Sequence, residues 1–221
     1  MPDSLYYYIG LALALFLGIG IHEYAHAKLA DMAGDPTPGI YGRVTLNLTK
    51  HFEFLGTLMM LFSMLSGFGI GWGKPVPMDP RRMRNPRWDH LIAVIGGPIS
   101  NLIQAIIASI IIRLLLALGF LTPETLDVLW PFVIVNVSLF LFNLLPIGPL
   151  DGMWVLGTFL PDKQRHIWTK FNLDVGRYLF LGLILLSQAS SRMGQPSILW
   201  TVLGPPLDAI MRFLLGPNFT L

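Results

Sequence analysis

Long apolar runs set the first limit on what this chain can become. Five stretches approach the roughly 20 apolar residues that a helix needs to cross the hydrocarbon of a bilayer: 5–28, 54–72, 91–120, 128–147 and 175–189. A sixth, 197–215, is broken by Gly204, Pro205 and Pro206 and carries Asp208 and Arg212. It reads as a short span or as a helix lying in the interface. Lipid offers the backbone no hydrogen-bond partners, so only helices and closed barrels cross it, and runs of this length select helices. The expected fold is an all-α polytopic membrane protein with about four to six transmembrane helices. Composition agrees: 13% of the 221 residues are charged, against about a quarter in a soluble domain. One membrane domain, 1–221, accounts for the chain, with a core at about 5–160 and C-terminal helices at 161–221.

The first run has no basic region before it and ends in HEYAHAKLA, not in a small-residue cleavage site. It reads as a retained helix and not a signal peptide. A net charge of +2 does not point to nucleic acid, and the absence of cysteine excludes disulfides, thiol nucleophiles and thiolate-bound metal.

Loop charges orient the spans, because short cytoplasmic loops are enriched in Lys and Arg. Loop 73–90 holds Lys74, Arg81, Arg82, Arg84 and Arg87, and loop 160–174 holds Lys163, Arg165 and Lys170. Both belong on the cytoplasmic side. Loop 119–127 has Glu124 and Asp127 and no basic residue, so it belongs outside. Lys28, Arg43 and Lys50 place 28–51 inside as well. If 54–72 crossed once, loop 73–90 would land on the wrong side. A re-entrant hairpin removes the conflict, and Gly67, Gly69, Gly71 and Gly73 permit the turn. The competing reading is an ordinary span with packing glycines. Between the first two runs, Val44, Leu46 and Leu48 alternate with Thr45, Asn47 and Thr49. Period-two alternation with β-branched residues predicts a small membrane-associated strand over 40–50.

The chemistry begins at the end of the first helix, with His22-Glu23-Tyr24-Ala25-His26. Residues four apart share a helix face, so both imidazoles can reach one metal ion. Glu23 is placed to act as general base on a nearby water. Ionisable residues in an apolar helix are costly and mark function; the bland reading is a buried polar cluster. A catalytic zinc usually has three protein ligands. His51, His90 and His166 each lie in a polar or basic loop and read as surface histidines. Asp151, in Asp151-Gly152 after the fourth run, is the stronger third ligand, because loop charges bring it to the same side as His22 and His26.

Three motifs now stand in order in apolar segments: HEYAH (22–26), GGPISN (96–101) and NLLPIGPLDG (143–152). Together they resemble the site-2 protease family of intramembrane metalloproteases, over roughly residues 10–160. The stretch GKPVPMDPRRMRNP (73–86) is similar to a loop of the short prokaryotic members. The resemblance implies one Zn2+ held by His22, His26 and Asp151, Glu23 as catalytic base, and a transmembrane protein substrate. It also implies residence in the bilayer of a prokaryotic plasma (inner) membrane, with the active site near the cytoplasmic face. Asn143 matches the asparagine preceding the ligand aspartate, and could donate to the scissile carbonyl or simply cap its helix. Asn101 matches the polar position of the glycine-rich motif and should bond a neighbouring helix or a ligand. Gly97 allows close backbone approach. A substrate helix must unwind before attack, and an edge strand at 43–49, with Val44 and Leu46, is the expected cradle for the extended segment. The alternatives are a membrane metal transporter and a scaffold that has kept the fold without proteolysis.

Overall fold

A computed structural model describes residues 4–66 and 71–216. In chain order the helices are α1 (Leu5–Met32), α2 (Thr37–Ile40), α3 (Phe54–Ser66), α4 (Trp88–Ala117), α5 (Pro123–Asn143), α6 (Gly152–Phe159), α7 (Asp162–Phe171), α8 (Arg177–Arg192) and α9 (Ile198–Leu215). Among the described residues, α1, α4, α5 and α9 are long and apolar enough to cross a membrane. The chain is an integral membrane protein built on this bundle.

Small residues let the first helices approach. Along α1 the buried positions Gly10, Ala14, Gly18, His22, His26 and Ala30 recur every fourth residue. That spacing makes one stripe down the helix. A methyl group on Gly10 would strike the Val128 backbone of α5, and one on Gly18 would meet Asn136 Oδ1 and Leu139. On α4, Gly96 leaves room only for Leu29 of α1. The ends of the stripe differ in chemistry, not in geometry: the face that begins as glycine and alanine becomes two histidines. Helix α9 closes the far side, packing Leu207, Met211, Leu214 and Leu215 on Ala105, Ala108, Ile112, Val133 and Val137.

Three of the apolar runs take shapes that loop charge and length alone left open. The fifth run, 175–189, lies in a helix that continues from α7 through a π-helical turn, Asn172–Gly176, into α8 without a break, and 197–215 supplies span-length α9. Asp208 and Arg212, which interrupt the apolar run, pair with each other at 2.7 Å, so the two charges offset one another. Helix α3 has 13 residues, about 20 Å at 1.5 Å per residue, too short for a crossing of about 30 Å. Its two flanks meet: Lys74 N donates to His51 O at 2.8 Å, and the Trp72 indole donates to Glu53. The described flanks of the segment therefore lie together at one end of the bundle, as the two ends of a hairpin do. Gly67 and Gly69, expected at its turn, lie outside the described residues.

The strand over 40–50 is not there, and no strand occurs among the described residues. Residues 44–46 bend, and Leu48–His51 form a 3-10 turn. Alternation makes a strand only when another strand supplies ladder partners. Here local bonds take their place: Thr45 N donates to Arg43 O at 3.0 Å, and His51 Nε2 to Thr45 O at 3.1 Å. Leu48 docks on Gly20 of α1, while Leu46 remains 73% exposed. Val44 and Leu46 offer no strand edge.

Candidate metal centre

The histidine pair sits on the buried stripe of α1, with His22 and His26 7% and 4% exposed. Their Nε2 atoms are 3.0 Å apart. Asp151, at the N-terminus of α6, brings Oδ2 to 3.2 Å from Nε2 of His22 and 3.4 Å from Nε2 of His26. In a tetrahedral zinc site with bonds of about 2.0–2.1 Å, ligand atoms lie about 3.3–3.4 Å from one another. The three donor atoms already stand near that spacing, and they form the metal-ligand cluster among the described residues.

Hydrogen bonds behind the ligands fix the tautomers. Nδ1 of His26 faces the Ala93 carbonyl at 2.9 Å, which can only accept. Nδ1 of His22 faces Asn101 Oδ1 at 2.7 Å. The Asn101 amide is itself oriented, because its Nδ2 donates to Gly18 O and to Asn136 Oδ1, each at 2.9 Å. Asn136 in turn donates to Phe132 O at 2.9 Å. Both rings therefore carry their proton on Nδ1 and turn bare Nε2 lone pairs inward. Asp151 Oδ2 is buried and receives no hydrogen bond. Two lone pairs and a carboxylate oxygen held this close repel one another unless a cation lies between them. Two neutral imidazoles and one carboxylate suit zinc, and the outer hydrogen bonds are of the kind that orient ligating histidines.

The backbone around Asp151 is tied from several directions. Gly152 lies against the Leu144 and Leu145 carbonyls, where no side chain fits. Gly148 N donates to Asn172 Oδ1 at 2.7 Å, and Trp168 Nε1 to Met153 O at 2.7 Å. At the other end of α6, Arg87 donates to Thr158 O at 2.7 Å and Arg165 to Gly157 O at 3.2 Å. These cations cover the unpaired carbonyls of a short helix. Arg87 also ties α6 to the start of α4, the helix that buttresses both imidazoles.

Glu23 stands beside the cluster and outside it. Its Oε2 lies 3.9 Å from Arg43 Nη2, and Gly73 passes next to it. Gly97 lies directly over the rings, since a methyl group there would come within 2.7 Å of His22 Cε1 and would overlap His26 Nε2. The Asn143 amide forms no hydrogen bond to the three ligands. It donates to Leu139 O at 2.9 Å, one turn back in its own helix. Val44 and Leu46 are not part of the cluster either.

His51 and His90 correct the surface assignment. His51 is fully buried because the 3-10 turn folds its ring inward; burial pushes its pKa down, against the bond to Thr45 O and together with the nearby Arg43 charge. His90 is half-buried and meets Trp154 edge-on at 5.4 Å. His166 is exposed as expected. Sequence reasoning passed over Asn136 and Asn172. The first was detectable as an amide inside the apolar run 128–147; the second carries no such signal.

Asn101→Leu tests the outer bonds. It removes the His22 acceptor while keeping the volume, so zinc affinity should fall about 10–100-fold, measured by competition with a chelator. Unchanged affinity would mean that Asn101 does not set the His22 tautomer.

A bundle of span-length helices enclosing a buried two-histidine, one-carboxylate site defines a membrane metalloprotein. Over 221 positions the chain is 34% identical to "Putative zinc metalloprotease YwhC" of Bacillus subtilis, covering 96% of this chain and 95% of that protein. It is 30% identical over 154 positions to "Putative zinc metalloprotease Rip2" of Mycobacterium tuberculosis, covering 66% of this chain and 56% of that relative. A protein of the same name from Mycolicibacterium smegmatis is 28% identical over 170 positions, covering 72% of this chain and 62% of that relative. No family model and no solved structure matches the chain. The chain belongs to the site-2 protease family of zinc metalloproteases, and its cofactor is Zn2+.

Proposed function

We propose that this protein is an intramembrane endopeptidase that hydrolyses peptide bonds in transmembrane segments of other proteins. The carrying observation is the convergence of His22, His26 and Asp151 inside a bundle of span-length helices. A metal site on the buried stripe of α1 serves substrates that arrive through lipid. The basic residues Lys74, Arg81, Arg82, Arg84, Arg87, Lys163 and Arg165 gather in the connections at the metal-bearing end. By the charge rule that end faces the cytoplasm of a prokaryotic cell, and water reaches the site from there.

Zinc held by His22, His26 and Asp151 would act as a Lewis acid, acidifying water and polarising the scissile carbonyl. Glu23 accepts the proton of the attacking water and delivers it to the leaving amine. Asn101 and the Ala93 carbonyl hold the imidazoles in the ligating tautomer throughout. Asn143 offers its second amide hydrogen to the substrate carbonyl. A substrate helix must be unwound before attack, because its backbone is hydrogen-bonded within itself. The non-helical stretch 71–79 passes Glu23, so it, and not 43–49, presents main chain to the unwound segment.

The test is cleavage of a purified transmembrane reporter by protein reconstituted in liposomes. Cleavage should occur within the apolar segment, stop on addition of 1,10-phenanthroline and return with Zn2+. Cleavage confined to soluble loops, or indifferent to the chelator, would overturn the proposal.

A further inference from the structure

A buried cation lies beside Glu23 and has no part in the hydrolytic scheme above. Arg43 is 3% exposed. Its guanidinium donates to Pro75 O at 3.1 Å and also to Lys74 O. Nη2 lies 3.4 Å from Nδ1 of His51 and 3.9 Å from Oε2 of Glu23. His51 uses Nε2 as the donor to Thr45 O, so its Nδ1 turns a lone pair toward Arg43. Arg43 Nε is buried without a hydrogen bond among the described residues.

A buried guanidinium is costly unless paired, and its ionic partner here is Glu23. The same group draws in the carbonyls of residues 74 and 75. Doing so carries residue 73 onto α1, where a Cβ would stand 3.3 Å from Glu23 Oε1 and 2.7 Å from Ile19 Cγ2. The Glu23 carboxylate is thus boxed between the Arg43 fork and the main chain of Gly73. An anchor serving only the stretch 73–75 would need the carbonyl bonds and nothing more. Placing the charge beside the carboxylate adds a constraint on where a flexible glutamate can point. A proton acceptor works only within hydrogen-bond reach of its donor.

We propose that Arg43 is a positioning residue for the hydrolysis. It holds the Glu23 carboxylate in the working orientation and pins the strap 73–75 over it. The inference rests on Glu23 acting as the base.

The experiment compares Arg43→Gln, Arg43→Lys and Glu23→Gln in liposomes against the same transmembrane reporter. Because the chain contains no cysteine, Val76→Cys adds a single thiol that reports on the strap through its rate of alkylation by a water-soluble maleimide. Arg43→Gln should keep its zinc by metal analysis, lower kcat on the order of 10²-fold with a smaller rise in KM from the loosened strap, and speed alkylation at position 76. Arg43→Lys should recover part of kcat, because an ammonium restores the charge but not the two-pronged geometry. Wild-type kcat in Arg43→Gln, an effect confined to KM, loss of zinc, unchanged alkylation, or no recovery with lysine would each overturn the proposal. If Glu23→Gln also cleaves at full rate, it is the assignment of the base that fails; if Glu23→Gln is dead while Arg43→Gln is fully active, only the role of Arg43 fails.

Discussion

Glu23→Gln should retain one zinc per chain and lose cleavage of a transmembrane reporter by about 10²–10⁴-fold, about 3–5 kcal/mol of transition-state stabilisation. The expectation follows from where Glu23 is and where it is not. The atoms spaced for metal binding are the Nε2 atoms of His22 and His26 and Oδ2 of Asp151. Glu23, one residue further along α1, is turned off that axis and stands toward Arg43 and Gly73. Glutamine has the same shape and can still face the guanidinium through its amide oxygen, so the packing at the end of α1 is preserved. It cannot take up a proton at neutral pH, so water loses its acceptor. Metal analysis and reporter cleavage on one preparation check both halves. A transporter built on this bundle would show the opposite pattern: with its zinc ligands intact it would continue to move metal. A Glu23→Gln protein that cleaves at the wild-type rate would remove the base from the mechanism.

How much of this was readable in the chain depends on whether a feature is local. The helical face shared by His22 and His26 is fixed by four-residue spacing, and it survives folding unchanged. Placing Asp151 at the same end needed only span parity and loop charge, since α5 crosses back to the side on which α1 ends. Residues 40–50 failed for the converse reason. Their alternation is real, but a strand is a property of two segments, and among the described residues no second segment pairs with this one. Arg43 and His51 looked like loop residues because a polar loop beside a membrane is usually wet. The stretch 71–75 closes over them, and nothing in their neighbours in sequence announces that. The run 197–215 left a short span and an interfacial helix open, because Gly204, Pro205, Pro206 and two charges interrupt it; α9 stays helical through the prolines, and Asp208 and Arg212 form one pair. Asn136 was legible in principle: an amide in an apolar helix must find a partner, and its partner is the asparagine that orients His22.

Gly97→Ala should weaken zinc binding by roughly 100-fold or more while leaving the bundle folded. Gly97 is the part of α4 that lies on the ligands: a methyl group there would meet His22 Cε1 at 2.7 Å and would overlap His26 Nε2 and Cε1. Neither side can easily yield. One turn away along the chain, Ala93 accepts from His26 and Asn101 from His22, and the adjacent Gly96 is already closed against Leu29. The rings must rotate or the helices must part, and either movement breaks the 3.0–3.4 Å spacing of the three donor atoms. Affinity for zinc should fall by roughly 100-fold or more, beyond the loss expected from an outer hydrogen bond alone. Helix propensity runs the other way, because alanine within a helix is favoured over glycine by about 1 kcal/mol. The two effects separate in a thermal unfolding experiment. With EDTA present, the variant should still melt cooperatively, the propensity gain partly offsetting an overpacking cost of about 1–3 kcal/mol. With zinc added, the wild type should gain stability through ligand binding and the variant should not. A variant that still gains stability with zinc would show that the imidazoles have room that the packing of α1 against α4 denies them. A variant that no longer folds in EDTA would show that Gly97 serves the bundle before the metal.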